Sequence, residues 1–173
     1  MSPFPELFTQ RLYLRELTAD DRQAIFELRS DTSVGRYIDR PLQQNIDEAS
    51  AFIDRIRKEY ANEQAAYWIL CLKKDDTFVG TICLWNFSAD GSIAEIGYEM
   101  LPQHHGLGYM QEAVEAVCHH AFGTLRLAAI EAFTHRENTR SQKLLEKNDF
   151  ILCPGRTDPD VPENIIYCRT AVP

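Results

Sequence analysis

The sequence predicts an α+β protein that forms one domain over residues 1–173. Strand-like and helix-like periodicities both occur along the chain, and three consecutive apolar segments are separated by short polar turns. The length fits the usual range of about 100–200 residues for one domain, and the hydrophobic fraction of 45% allows a substantial core. No internal repeat, low-complexity tract or linker divides the chain.

The N-terminal part predicts one strand followed by two helices. Polar and apolar residues alternate over residues 11–17, as in a half-buried strand. Thr18 and Asp21 then have the spacing of a capping box, so a short helix is expected to follow. After a turn-rich segment at 30–41, an apolar stripe at helical spacing predicts a second helix. The residues of this stripe are Ala49, Phe52, Ile53, Ile56 and Tyr60.

Three strands in a meander are predicted next. Residues 67–72 and 78–85 form a hairpin around a polar turn, and both strands are so apolar that a layer must cover each face of the sheet. A second turn at Asp90 and Gly91 leads to the third strand over residues 92–101. The aromatic residues that we expect in the core of this sheet are Trp68, Trp85 and Phe87.

The most regular periodicity in the chain predicts an amphipathic helix from Met110 to Phe122. A strand over residues 127–134 follows, and then a helix over residues 139–147 with Asn138 as its N-cap. Two closing strands complete the prediction, at residues 150–153 and 165–169.

Charge and cysteine content narrow the expected partners and compartment. Eighteen basic and 26 acidic residues give a net charge of −8 without long runs of either sign, so neither nucleic acid nor an anionic membrane is an expected partner. No leader peptide is recognisable, and no segment approaches the roughly 20 apolar residues of a membrane span. A cytoplasmic protein is therefore expected. The cysteines expected to be reduced, rather than to form a disulfide or a zinc site, are Cys71, Cys83, Cys118, Cys153 and Cys168.

Gly106 and Gly108 lie where the third strand of the meander meets the long helix. The first N–H groups of a helix lack intrahelical partners, so a turn without side chains at this point favours a phosphate-bearing ligand. The dinucleotide fingerprint would need a third glycine at position 111, where Gln111 stands. A P-loop would need Gly-Lys-Ser/Thr, which is absent, so both common nucleotide motifs are excluded.

Three separated motifs span nearly the whole chain. They are Thr9-x-Arg11-Leu12-x-Leu14-Arg15, then Gln103-x-x-Gly106-x-Gly108 with Glu112-Ala113, and finally Asn138-x-x-Ser141-x-x-Leu144-x-Glu146-Lys147 ending in Phe150. Together they resemble the GNAT superfamily of N-acyltransferases, and within it the RimJ/RimL branch. The resemblance implies the GNAT α+β fold, a mixed, strongly curved sheet of about six to seven strands with helices on both faces. It also implies that the fourth and fifth strands separate.

The same resemblance implies acetyl-CoA as the cofactor, with its pyrophosphate on the glycine turn and its pantetheine arm between the separated strands. The implied cofactor-binding residues are Met100, Leu101, Gln103, His104, His105, Gly106, Leu107, Gly108, Tyr109, Asn138 and Ser141. Leu107 stands where the family usually has a basic or amide residue, so backbone N–H groups rather than charge are expected to bind the pyrophosphate. Asn148 or Asp149 replaces a usual glycine and is expected to adopt its left-handed conformation.

Acyl transfer from a thioester to an amine needs a base, a donor for the carbonyl oxygen and a proton for the departing thiolate. Glu95 and Glu99 share one strand face and are the candidate bases, although either could simply face solvent. Ser141, which the resemblance places near the sulfur, is the candidate acid; alternatively, its hydroxyl bonds to its own helix. A backbone N–H near Met100 or Leu101 is the candidate donor to the carbonyl oxygen.

The expected acceptor is a primary amine, most simply the N-terminal α-amine of a protein or peptide, such as a ribosomal protein. Acetylation of a polyamine or aminoglycoside and acyl-CoA binding without turnover are the alternatives. The acidic residues Asp158, Asp160 and Glu163 either line a site for a cationic amine or face solvent. No metal site is expected, since neither His104-His105 nor His119-His120 has a carboxylate at zinc spacing. Both a monomer and a homodimer are compatible with the sequence.

Overall fold

The computed structural model describes residues 4–171, which form five α-helices and one eight-stranded sheet. The strands are β1 (Leu7–Phe8), β2 (Leu12–Glu16), β3 (Ala66–Leu72), β4 (Phe78–Trp85), β5 (Ile93–Met100), β6 (Ala129–His135), β7 (Ile151–Leu152) and β8 (Asn164–Thr170). The helices are α1 (Arg22–Ser30), α2 (Thr32–Gly35), α3 (Ile46–Ala61), α4 (Tyr109–Gly123) and α5 (Thr139–Lys147). Residues 1–3 and 172–173 of the expected domain lie outside the described part.

The sheet is mixed, with the spatial order β1-β2-β3-β4-β5-β6-β8-β7. All neighbouring strands are antiparallel except β5 and β6, which run parallel. The predicted α+β class and the mixed sheet are therefore confirmed. The strand number is eight rather than six to seven because β1 has only two residues, too few to show a periodicity. Helix α2 lies in the segment expected to be turn-rich, and the Asp31 carboxylate caps it.

Helices cover both faces of the sheet, as the apolar character of β3 and β4 predicts. Helix α4 contributes to a core on one face that includes Trp68, Leu70 and Ile82. Helices α1 and α3 cover the other face, where the core includes Ile53 and Ile69. Every residue of β3 is buried, so this strand forms the centre of the molecule.

The prediction that all three aromatic residues of the meander belong to the core is wrong for one of them. Trp68 is fully buried, and Phe87 packs against the same core. Trp85, by contrast, is 45% exposed and borders the open cleft described below. It is the last residue of β4 and is paired with Glu95 of β5 at the edge of this cleft.

The local helix signals are confirmed by the structure. Thr18 and Asp21 form a complete capping box ahead of α1. The Asn138 side chain caps α5 by accepting a hydrogen bond from the Ser141 N–H. Beyond α5, Asp149 takes the left-handed conformation with a φ of 61°.

Within residues 4–171, no helix is long and apolar enough to cross a lipid bilayer.

Two cysteines contradict the expectation that all five are reduced. Cys153 and Cys168 form a disulfide, with Cα atoms 6.3 Å apart. They are 15 residues apart in sequence, and the pairing of β7 with β8 brings them together. The free cysteines of the described chain are Cys71, Cys83 and Cys118. The described residues also contain no group of three or more His, Cys, Asp or Glu side chains placed to hold a metal ion.

A gap between β5 and β6 opens the middle of the sheet. These strands pair only where Ile93–Glu95 face Ala129–Glu131, although both continue beyond this point. The predicted separation of two central strands is thus confirmed. The resulting cleft has a volume of about 1200 Å³ and is lined by residues of both strands, by the glycine turn and by α5.

Candidate active site

The glycine turn forms one end of the cleft. Gly106 and Gly108 have φ angles of 75° and 80°, in the left-handed region that favours glycine. Helix α4 begins at Tyr109, and its first intrahelical bond runs from the Glu112 N–H to the Gly108 carbonyl. In the described part of the chain, the N–H groups from Gly106 to Gln111 donate to no acceptor. The turn therefore presents a row of unpaired donors at the positive end of a helix dipole.

Glu112 fixes this end of α4 against the segment that precedes β2. Its carboxylate accepts a hydrogen bond from the Thr9 hydroxyl at 2.6 Å, and two more from the backbone N–H and the guanidinium of Arg11. The Arg11 guanidinium lies 4.5 Å above the centre of the Tyr109 ring. The first two sequence motifs are thus in direct contact, and this contact positions the glycine turn.

Most of the predicted site residues do line the cleft. They are Glu95, Glu99, Met100, His104, His105, Gly106, Gly108, Tyr109, Asn138 and Ser141. Leu101 is buried away from the cleft, whereas Gln103 and Leu107 are exposed on the outer side of the turn. Of the acidic loop residues, Asp158 and Asp160 border the cleft, and Glu163 does not.

The end of β5 offers one backbone donor to the cleft rather than two. The Leu101 N–H donates to the Val79 carbonyl at 3.1 Å and is therefore engaged in the sheet. The prediction that it could donate to the carbonyl oxygen of the thioester is wrong. Because successive N–H groups of a strand point to opposite sides, the Met100 N–H faces the gap. The Met100 carbonyl lies 2.8 Å from Nε2 of His105, whose Nδ1 contacts Arg140. Burial lowers the pKa of His105, consistent with a neutral ring between these partners.

Glu95 and Glu99 occupy the same strand face in different electrostatic surroundings. Burial raises the pKa of Glu95 to about 7, against the opposing effect of the Asn86 side chain, whose Nδ2 lies 3.4 Å from Oε2. Glu99 instead forms ion pairs with the guanidinium groups of Arg29 and Arg40. Glu95 is therefore suited to accept a proton near neutral pH, whereas the carboxylate of Glu99 is already paired.

Ser141 lies on the opposite wall of the cleft. Its Oγ is 2.8 Å from the hydroxyl of Tyr98, so its partner is not its own helix. Burial raises the pKa of Tyr98 to about 12, although the bond to Ser141 opposes this shift. A phenol with such a pKa remains protonated across the physiological range, so this pair can donate a proton into the cleft.

Several residues of the cleft escape prediction from sequence alone. Alternation along β5 places Tyr98 on the face opposite Glu95, and no local signal shows that α5 approaches it. Arg29 and Arg40 come from α1 and from the connection between α2 and α3, so only the fold reveals their contact with Glu99.

Comparison with known proteins identifies the family. Residues 11–151 match the acetyltransferase (GNAT) domain family. The chain belongs to the GNAT acetyltransferase family. One relative, the uncharacterized N-acetyltransferase YoaA of Bacillus subtilis, is 32% identical over 147 residues, which cover 85% of this chain and 83% of YoaA.

Solved GNAT structures share the fold over almost the whole chain. An acetyltransferase of the GNAT family from Bacillus anthracis has a TM-score of 0.84 and 23% identity, covering 96% of this chain and 98% of its own. A second structure is RimL, a ribosomal L7/L12 α-N-protein acetyltransferase solved in complex with coenzyme A. It has a TM-score of 0.84 and 15% identity, and the match again covers 96% of this chain and 98% of the RimL chain. At these identities the likeness shows the fold.

As a GNAT acetyltransferase, the protein is an enzyme that uses acetyl-CoA. Acetyl-CoA supplies an acetyl group that its thioester activates for transfer. The described residues fit this cofactor, because the unpaired N–H groups at residues 106–111 suit a pyrophosphate and the gap between β5 and β6 suits an elongated arm.

Proposed function

We propose that this enzyme is a RimJ/RimL-like N-acetyltransferase whose acceptor is the N-terminal α-amine of a protein or peptide. The observation that carries the proposal is the environment of Glu95, a carboxylate that borders the cleft with a pKa raised to about 7. An α-amine has a pKa of about 8, so a base of this strength can deprotonate it near neutral pH. A lysine ε-amine, with a pKa of about 10.4, is poorly matched to it.

In this proposal, Glu95 accepts the proton of the amine, directly or through a water molecule. The Met100 N–H, which faces the gap, stabilises the negative charge that develops on the carbonyl oxygen, an interaction typically worth about 3–4 kcal/mol. Ser141, hydrogen-bonded to Tyr98, supplies the proton for the thiolate. Glu99 takes no part in proton transfer, because two arginines hold it.

Two further observations support the proposal. The sequence carries all three motifs that resemble the RimJ/RimL branch, and the structure joins two of them through Glu112. The RimL structure with the same fold has a printed name that describes α-N-acetylation of a ribosomal protein. The residues that meet at the cleft come from both halves of the chain, so we also propose that it acts as one catalytic domain.

The test measures thiol release and product identity with acetyl-CoA and matched acceptors. One peptide has a free α-amine and no lysine, and a second has a blocked α-amine and one free lysine. Spermidine and kanamycin represent the small-amine alternative. We expect release with the first peptide and, by mass spectrometry, an acetyl group on its N-terminal nitrogen. Acetylation confined to the lysine peptide, spermidine or kanamycin would contradict the α-amine proposal.

A further inference from the structure

A buried charge cluster lies on the β5 wall of the cleft. The Glu99 carboxylate pairs with Arg29 of α1, Nη1 to Oε2 at 3.2 Å, and with Arg40 from the connection between α2 and α3. The three side chains are only 10%, 15% and 12% exposed, respectively. Two guanidinium groups against one carboxylate leave a net positive charge in a poorly solvated wall.

The hydrogen-bonding capacity of this cluster is unevenly used. Arg40 donates to Glu99 from Nε and Nη2, and from Nη1 to the carbonyl oxygen of Arg29 at 2.9 Å. Arg29 donates only through Nη1, and its buried Nε has no partner in the described structure. Its guanidinium lies 4.0 Å from the centre of the Phe52 ring, which holds the planar group in place. Arg29 is therefore a preoriented cation with unused donors.

In the described structure, no second carboxylate forms an ion pair with Arg29 or Arg40. Arg55 also lies over the Phe52 ring, at 5.2 Å, and is paired with Glu59. The α1 and α3 side of the cleft has three arginines and three acidic residues. Of the acidic residues, Glu99 and Glu59 are paired as described, whereas Asp39 is exposed and forms no ion pair in the described structure. Burial lowers the pKa of Arg29, the charge of Arg40 adds to this effect, and Glu99 opposes it. A buried, incompletely paired charge is costly, and a bound anion would remove that cost.

We propose that Arg29, held in place by Glu99, Arg40 and Phe52, binds an anionic group of the acceptor, so that the preferred substrates carry a carboxylate or phosphate near the reacting amine. This inference rests on the proposed α-amine acetylation and names its substrate class. It also disfavours polyamines and aminoglycosides, which are cations without an anionic group.

The geometry of β5 limits where the anion lies in the acceptor. Glu95 and Glu99 are four residues apart on one strand face, a separation of roughly 13 Å at the usual rise. Gly97 stands between them and contributes no side chain, so the neighbouring Cys83 and Trp85 side chains form the wall there. If the amine lies at Glu95, an extended peptide reaches the arginines within about four residues. The preferred peptide therefore has its acidic residue among positions two to four.

The test compares peptides that differ by one charge. Peptides with a free N-terminal serine carry a single aspartate at position two, three or four, and each has an asparagine counterpart. A phosphoserine series distinguishes phosphate from carboxylate. We expect at least one aspartate peptide to exceed its asparagine counterpart at least tenfold in kcat/KM for the native enzyme. Arg29→Gln should bring this ratio close to one, whereas Arg22→Gln, an exposed arginine on the same helix, should leave it unchanged.

The comparison within the native enzyme needs no variant, so poor folding of Arg29→Gln would not prevent a decision. Equal kcat/KM values for every charged peptide and its neutral counterpart would overturn the anion site while leaving α-amine acetylation intact. Failure to acetylate any α-amine would overturn the proposed function, and this inference with it. A preference that persists in a folded Arg29→Gln variant would show that another group binds the anion.

Discussion

Glu95 and Glu99 show how two residues of one strand face acquire different chemistry. Both project from β5 toward the cleft, yet Glu99 is paired with two arginines and Glu95 is near an amide. Burial without a neighbouring cation favours the protonated form of Glu95 and raises its pKa. This contrast is what makes Glu95 the proposed base, and it leads to a pH-dependent prediction.

Replacing Glu95 with glutamine should lower kcat/KM by about 100-fold or more, the usual contribution of a general base. In the native enzyme, kcat/KM should rise with pH through the pKa of Glu95 at about 7, because the ionised carboxylate then takes the proton of the α-amine. In Glu95→Gln this rise should be absent, and kcat/KM should rise only as the α-amine itself loses its proton near 8. A native profile without the rise near 7, measured by thiol release, would remove Glu95 from the mechanism.

Thermal stability provides a control for this variant. The pKa of Glu95 is raised on folding, so between pH 4.5 and about 7 the folded state binds more protons, and its stability falls as pH rises. Glu95→Gln removes the buried charge and should therefore have a higher Tm than the native protein at pH 8. The difference should shrink as the pH falls toward 4.5. A variant that melts lower at pH 8 would indicate structural damage instead.

Ser141 and Tyr98 are expected to act as one hydrogen-bonded unit, because their oxygens are 2.8 Å apart. Ser141→Ala should lower kcat by about tenfold or more while leaving the Kd for acetyl-CoA within about twofold. Tyr98→Phe should have a similar effect, and the double variant should be no slower than the slower single one. Additive losses would show that the two hydroxyls act separately, and an unchanged kcat in Ser141→Ala would exclude it as the acid.

At the scale of elements, we expect the start of α4 to determine how the cofactor is bound. Leu107 is 51% exposed and contributes no charge, and six consecutive N–H groups from residue 106 to 111 are unpaired in the described structure. The left-handed φ angles of both glycines create this arrangement. Binding of the pyrophosphate should consequently depend on backbone conformation more than on side-chain charge.

Gly106→Val tests this dependence. A β-branched residue at a φ of 75° is strained by about 1–3 kcal/mol, so the turn should change conformation and lose its row of donors. The Kd for CoA should rise at least tenfold in calorimetry. Gly91→Val is the matched control, because Gly91 also has a positive φ, 70°, but lies in the β4–β5 turn outside the cleft. Equal CoA affinity in the two variants would show that the glycine turn is only structural.

At the scale of the whole molecule, Glu112 connects parts of the chain that are about a hundred residues apart. Thr9 and Arg11 precede β2, whereas Glu112 lies in the first turn of α4. Their hydrogen bonds hold the glycine turn at the start of α4 against the segment that precedes β2. The motifs at these positions therefore have a structural explanation, since the Glu112 carboxylate of the second motif accepts hydrogen bonds from Thr9 and Arg11 of the first.

Glu112→Ala should weaken both stability and cofactor binding. It removes several hydrogen bonds from a partly exposed group, a loss of about 1–2 kcal/mol, which corresponds to roughly 2–8 °C in Tm for a chain of this size. The Kd for CoA should also rise, because the turn loses its support. Glu115→Ala, an exposed position on the same helix, should change neither quantity. Unchanged CoA affinity in Glu112→Ala would show that the contact with Thr9 and Arg11 does not support cofactor binding at the glycine turn.

The sequence by itself determined most of the elements and the family, and it predicted where the cofactor binds. Hydrophobic periodicity and capping residues are local properties, and the motifs near the glycine turn are short, so both can be read from neighbouring residues. Only the tertiary structure decided how similar candidates differ. Glu95 has no cation beside it, whereas Glu99 has two, and in the described structure the Met100 N–H is free, whereas the Leu101 N–H is bonded within the sheet. The structure also pairs Cys153 with Cys168. Burial, ion pairing and strand pairing depend on residues far apart in the chain, and folding alone brings these together.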